Sequence, residues 1–173
     1  MYDRKLKLSD NFYYYELVRS STADRMDIDN DVKNDIVIQN ASALANNCLE
    51  PIRKEFGSFG PQSWYRGEEL EKVICWNKDN VRSSFARWCV KQNMPINEVS
   101  WAIYFKRKSH PLGQAADIEI SGVYNDRLFD WCKENLKYDQ LIREFAKAND
   151  PVSGWVHISW SNTNNRQQAF SIG

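Results

Sequence analysis

His110 and His157 are the two histidines of the chain, and each stands among residues that suit metal chemistry. The first lies in Ser109-His110-Pro111-Leu112-Gly113-Gln114-Ala115-Ala116-Asp117-Ile118. Gly113, Ala115 and Ala116 are small, so the backbone there can pass close to a neighbour. Asp117 follows His110 by seven positions. An imidazole and a carboxylate joined by such a tight turn can converge on one cation. The second histidine lies in Trp155-Val156-His157-Ile158-Ser159-Trp160. Strand alternation puts Trp155, His157 and Ser159 on one face and Val156, Ile158 and Trp160 on the other. A lone histidine is ordinarily a loop or core residue. Two imidazoles and one carboxylate together make a three-ligand zinc site, with nitrogen and oxygen donors at about 2.0–2.2 Å and a fourth position left for water.

The elements that must carry these side chains follow from periodicity and punctuation. The first 25 residues form a possible N-terminal arm, with Phe12 to Val18 either a short helix capped by Ser9 or Asp10 or a segment packed on the body. Asn30 and Asp31 open a helical pattern through Val37, Ala41, Leu44, Cys48, Ile52 and Phe56. Pro51 should kink or loosen it, and Gly57 should end it. Gln62 to Tyr65 is a candidate short strand, followed by helices from Glu68 to Ile74 and from Asn80 to Gln92. Val99 to Phe105 alternates as a half-buried strand would. Ala115 to Ile120 is expected as a strand with Asp117 and Glu119 on its outward face. Asn125 should cap a helix from Asp126 to Leu136. Tyr138 to Phe145 and Trp155 to Trp160 read as strands, and Asp150-Pro151 and Ser153-Gly154 between them make an antiparallel hairpin. Helices first and strands later give an α+β domain, helices packed on a small antiparallel sheet, with residues 1–173 as a single unit.

The motif residues resemble the M15 peptidases, the group of D-alanyl-D-alanine carboxypeptidases and phage L-alanyl-D-glutamate endolysins with the Hedgehog/DD-peptidase fold. That signature is His-x-x-Gly-x-Ala-x-Asp followed by a Trp-rich strand with a second histidine. It is matched by His110, Gly113, Ala115 and Asp117, and by Trp155-Val156-His157. Ser63-Trp64-Tyr65-Arg66 looks like the family's Ser-Gly-Tyr-Arg motif, and Leu49 to Gly57 and Tyr138 to Phe145 look like phage-type members. The resemblance runs from Phe12 to Gln167. It implies that His110, Asp117 and His157 bind Zn2+, that a metal-activated water is the nucleophile, and that Arg66 stabilises the oxyanion. Many members carry an acid three residues before the second histidine; Gly154 stands there in this chain. Glu144 is then the candidate general base, since Gln140, Ile142 and Glu144 share a face of the strand expected to pair with that of His157; Asp150 is the second choice. The family serine two residues before the first histidine is Lys108 here, with Ser109 beside it. The implied function is hydrolysis of peptide bonds in peptidoglycan stems or cross-links by a phage-type endolysin. The alternative is a catalytically inactive, metal-stabilised binding or virion structural domain on the same fold.

Composition agrees with one enzyme-sized unit. The chain has 173 residues, 23 Lys+Arg against 23 Asp+Glu, and seven Trp with eight Tyr. Zero net charge argues against a general nucleic-acid binder, and the resemblance implies bacterial peptidoglycan as the partner. No apolar run approaches the ~20 residues that a membrane-spanning helix needs, so no membrane insertion is expected. The polar start Met1-Tyr2-Asp3-Arg4-Lys5 has no signal-peptide character. The expected protein is a monomer held in the host cytoplasm until release to the cell wall. Cys48, Cys75, Cys89 and Cys132 lack the spacing of a metal or redox motif and are expected as buried reduced thiols. Lys106-Arg107-Lys108 is expected as a solvated loop face that can attract an anionic polymer, and Asn164-Asn165-Arg166 as a turn with a surface cation.

Overall fold

The computed structural model describes residues 2–76 and 83–173. The N-terminal segment is part of the main core. Its short helix α1 (Tyr14–Val18) follows Phe12, and Phe12, Tyr14 and Leu17 are buried. Neither Ser9 nor Asp10 caps it: the Glu16 carboxylate accepts the Tyr13 N–H at 2.9 Å, while the Ser9 hydroxyl donates to Glu50. A second short helix, α2 (Ser21–Met26), starts at Ser20, whose hydroxyl accepts the Ala23 N–H.

The long helical pattern begins at Asp35 rather than at Asn30. Asn34 caps α3 (Asp35–Leu44) by accepting the Ile36 N–H. Proline cannot donate, so Pro51 leaves the regular ladder one bond short. The helix answers with a wide π-type turn over Ala45–Leu49, in which the Glu50 N–H reaches the Ala45 carbonyl. It then continues as α4 (Glu50–Phe56) and ends at Gly57. Val37, Ala41, Leu44, Cys48 and Ile52 face inward along this whole stretch, as their spacing predicts.

Three further helices form a unit around a second, smaller core. They are α5 (Glu68–Cys75), α6 (Ser84–Gln92) and α7 (Glu98–Phe105). The expected start of α6 at Asn80 lies outside the described residues. Trp76, Phe85, Trp101 and Tyr104 build a small aromatic core with Cys75 and Cys89. Val99 to Phe105 is therefore a helix and not a strand. Asn97 caps it by accepting the Ser100 N–H at 3.0 Å. Trp101 and Tyr104, three apart, point into the aromatic core, and Val99 and Ile103 stay exposed. A run that is apolar on every side mimics strand alternation; the cap and the aromatic contacts decide for the helix.

Four strands form the sheet of the described residues, in the order β1-β3-β2-β4. They are β1 (Ala115–Ile118), β2 (Gln140–Glu144), β3 (Trp155–Ser159) and β4 (Gln168–Ile172). β3 runs antiparallel to both β1 and β2, which confirms the hairpin. The sheet is mixed rather than antiparallel, because β4 lies parallel to β2. The Asp139–Arg166 ion pair, with Nε 2.6 Å from Oδ1, ties the approach to β4 against the start of β2. The candidate strand Gln62 to Tyr65 is reduced to one bridge, Ser63 opposite Asp117. The helix α8 (Asn125–Asn135) packs on β2 and β3. Asn125 does not cap it. Its side-chain amide instead donates to the Val152 and Gly154 carbonyls, both at 2.9 Å, and pins the β2–β3 turn. Ala116, Ile118, Leu141, Val156 and Ile158 face the main helical core. The fold is α+β. No helix among the described residues is long and apolar enough to cross a membrane.

Candidate metal centre

The face of the sheet turned away from the main core carries the chemistry. Asp117 of β1 lies directly opposite His157 of β3, and Ile142 of β2 lies on its other side. His110 arrives from a single 3-10 turn, His110–Leu112, just before β1. Gly113 makes that approach possible. Its backbone is left-handed (φ +69°), and a Cβ there would stand 2.7 Å from the Val37 carbonyl oxygen of α3. Trp64 clamps the same turn twice: its carbonyl accepts from His110 Nδ1 at 2.6 Å, and its indole N–H donates to the Gly113 carbonyl.

His110, Asp117 and His157 are buried together, 4%, 3% and 6% exposed, with one donor atom of each within 4.8 Å of the others. His110 Nε2 lies 3.3 Å and His157 Nδ1 2.9 Å from Asp117 Oδ1. A carbonyl only accepts, so the His110 Nδ1 carries a proton and the lone pair of the neutral ring belongs to Nε2. Burial pushes His110 below the ordinary imidazole range, against the pull of Asp117. A lone pair thus faces a carboxylate oxygen, an arrangement that a cation between them relieves. Burial alone would raise Asp117, but His110, His157 and the Arg66 guanidinium outweigh it and hold the carboxyl well below its usual range. The group can hold a metal ion. The fixed His110 tautomer and the anionic Asp117 are what such ligands require.

Arg66 lies against the Asp117 carboxylate. One terminal nitrogen meets Asp117 Oδ2, Nε donates to Ser63 Oγ at 2.8 Å, and the other terminal nitrogen stands 3.7 Å from Glu71. Glu144 is at the end of β2, paired with Trp155 and diagonal to His157. Both line one open cleft of about 690 Å³ with the three candidate ligands. Burial raises the Glu144 pKa, while the nearby His157 works against the rise. Asp150 sits in the turn after β2, bridged to Lys147 and outside this cleft.

Gly154 has a left-handed backbone (φ +58°), and a Cβ there would fall 1.8 Å from the Glu144 carbonyl oxygen. The position three residues before His157 is therefore closed to an acidic side chain. The helical unit supplies the facing wall with Ile74, Cys75 and Arg87, and Arg107 adds to it from the turn after α7. Lys106 and Arg107 are exposed, as expected of a basic loop, but Lys108 is turned inward to Glu71, 3.2 Å away. Two residues carry more than their sequence setting announces. Asn30 donates to the Val18 and Tyr65 carbonyls and accepts the Gly67 N–H, which fixes the backbone on both sides of Arg66. Glu71 is a fully buried carboxylate, and nothing in its helical spacing separates it from the solvated acids Glu68 and Glu69. Comparison with protein-family models, characterised proteins and solved structures finds no match to this chain.

Proposed function

We propose that the chain is a zinc peptidase of the M15 kind that hydrolyses peptide bonds in the stems or cross-links of bacterial peptidoglycan, as a phage endolysin does. The observation that carries this reading is the convergence of His110, Asp117 and His157 at the floor of an open cleft beside a further carboxylate. Two imidazoles and one carboxylate are a donor set that zinc accepts, with a position to spare for water. Bound zinc supplies Lewis acidity and a water whose pKa falls to about 7. His110 offers Nε2, because Trp64 holds its Nδ1 proton. Asp117 offers Oδ1, because Arg66 holds Oδ2. Glu144 takes the proton of the attacking water on a carboxylate oxygen and returns it to the leaving amine. Arg66 keeps Asp117 ionised and places a fixed positive charge beside the cleft, where negative charge develops in the reaction.

A second reading, a metal-stabilised binding or virion domain without activity, draws on Gly154. The family acid is missing, and the backbone there admits no replacement. The test is incubation with purified peptidoglycan. The peptidase reading predicts new amino groups, no new reducing sugar ends, and loss of release after chelation. Bound metal with no cleavage of any wall type supports the second reading, and new reducing ends contradict both.

A further inference from the structure

We infer that Glu71 is a positioning residue that sets the metal affinity of the site by sharing the Arg66 guanidinium with Asp117 and holding Lys108 ahead of His110. The inference rests on the metal centre proposed above. Glu71 belongs to α5 of the helical unit and has no exposed surface. A carboxylate so placed is costly unless cations meet it. Lys108 Nζ lies 3.2 Å from its Oε1, which also accepts from Cys75 Sγ at 3.1 Å. Oε2 has no hydrogen-bond partner and faces the Arg66 guanidinium at 3.7 Å. Arg66 is thereby suspended between two carboxylates, Glu71 on one side and the ligand Asp117 on the other. Lys108, two residues before His110, is held from a second direction by the Tyr104 hydroxyl of α7 at 3.3 Å.

One acid thus gathers the two cations that precede α5 and the His110 turn. It also offsets positive charge where a divalent ion must bind. Without it, Arg66 answers to Asp117 alone and competes fully for that carboxylate, and the net positive charge beside the site rises by one. Both effects oppose a second cation. The connection joins the helical wall to the sheet floor through side chains rather than through the backbone.

Glu71→Gln keeps the shape and removes the charge. Competition against a chromophoric chelator should give zinc binding about 10–100-fold weaker than wild type, the usual size of an outer-shell effect. The visible absorption of the cobalt-loaded variant should also move, because Asp117 is aimed differently. Glu71→Asp retains the charge and shortens the reach to Arg66; it should fall between the two, and it stands in if Glu71→Gln does not fold. Wild-type affinity with an unchanged cobalt spectrum in the folded variant, even with a lowered melting temperature, makes Glu71 a structural counter-charge and overturns the inference alone. No metal on the wild-type protein overturns it together with the proposed centre.

Discussion

A side chain at position 154 would collide with the backbone of Glu144, and this contact is the reason the proposed base is sought on β2 and not three residues before His157. Gly154→Ala should cost at least about 2 kcal/mol in urea unfolding, since left-handed strain alone is worth about 1–3 kcal/mol. Wild-type stability in that variant would contradict the packing described. Glu144→Gln should retain metal and lose about 10²–10⁴-fold in turnover, the range of general-base contributions. Adding Gly154→Asp to it should restore nothing. Burial raises the Glu144 pKa. In the metal-free protein the Glu144 carboxyl should therefore titrate above the ordinary glutamate value of about 4.3. An NMR titration that places it at or below that value contradicts the burial described.

At the scale of elements, the readable parts are those where chemistry and periodicity coincide. The His110–Asp117 segment needs a small-residue turn and a strand, and its composition states both. The β2–β3 hairpin follows from two alternating runs around Asp150-Pro151 and Ser153-Gly154, and so does the face shared by His157 and Glu144. β4 is not readable, because Gln168–Ile172 is a half-polar edge whose partner lies far back in the chain. α7 is not readable because its sequence is apolar on every side. Its identity comes from Asn97 and from aromatic partners brought by other helices. Asn97→Ala should destabilise the helical unit by about 1 kcal/mol, as lost caps do, and hydrogen exchange in α7 reports it. The thiols divide between the two cores, Cys48 and Cys132 in the main one and Cys75 and Cys89 in the aromatic one. Burial pushes Cys48 up to about 12 and Cys75 up to about 11. A thiol reagent at pH 8 should leave all four unlabelled in the native protein and reach all four in guanidinium. Rapid labelling of Cys75 and Cys89 alone would mean that the helical unit opens by itself.

Over the whole molecule, the cleft lies where the sheet floor meets the helical wall, and the candidate ligands tie β1, β3 and the His110 turn together. A metal that binds only the folded chain stabilises it by mass action, about 4 kcal/mol at a thousandfold excess over Kd. Chelation should then lower the melting temperature by on the order of 10 °C. An unchanged melt would mean that the ion lies off the folded framework. The central claim, that two imidazoles and one carboxylate hold a single ion, is tested most directly by X-ray absorption spectroscopy of the zinc-loaded protein. The predicted spectrum has two imidazole nitrogens with oxygen donors at about 2.0–2.2 Å and no sulfur. A sulfur shell at about 2.3 Å, or a shell without imidazole, would contradict it.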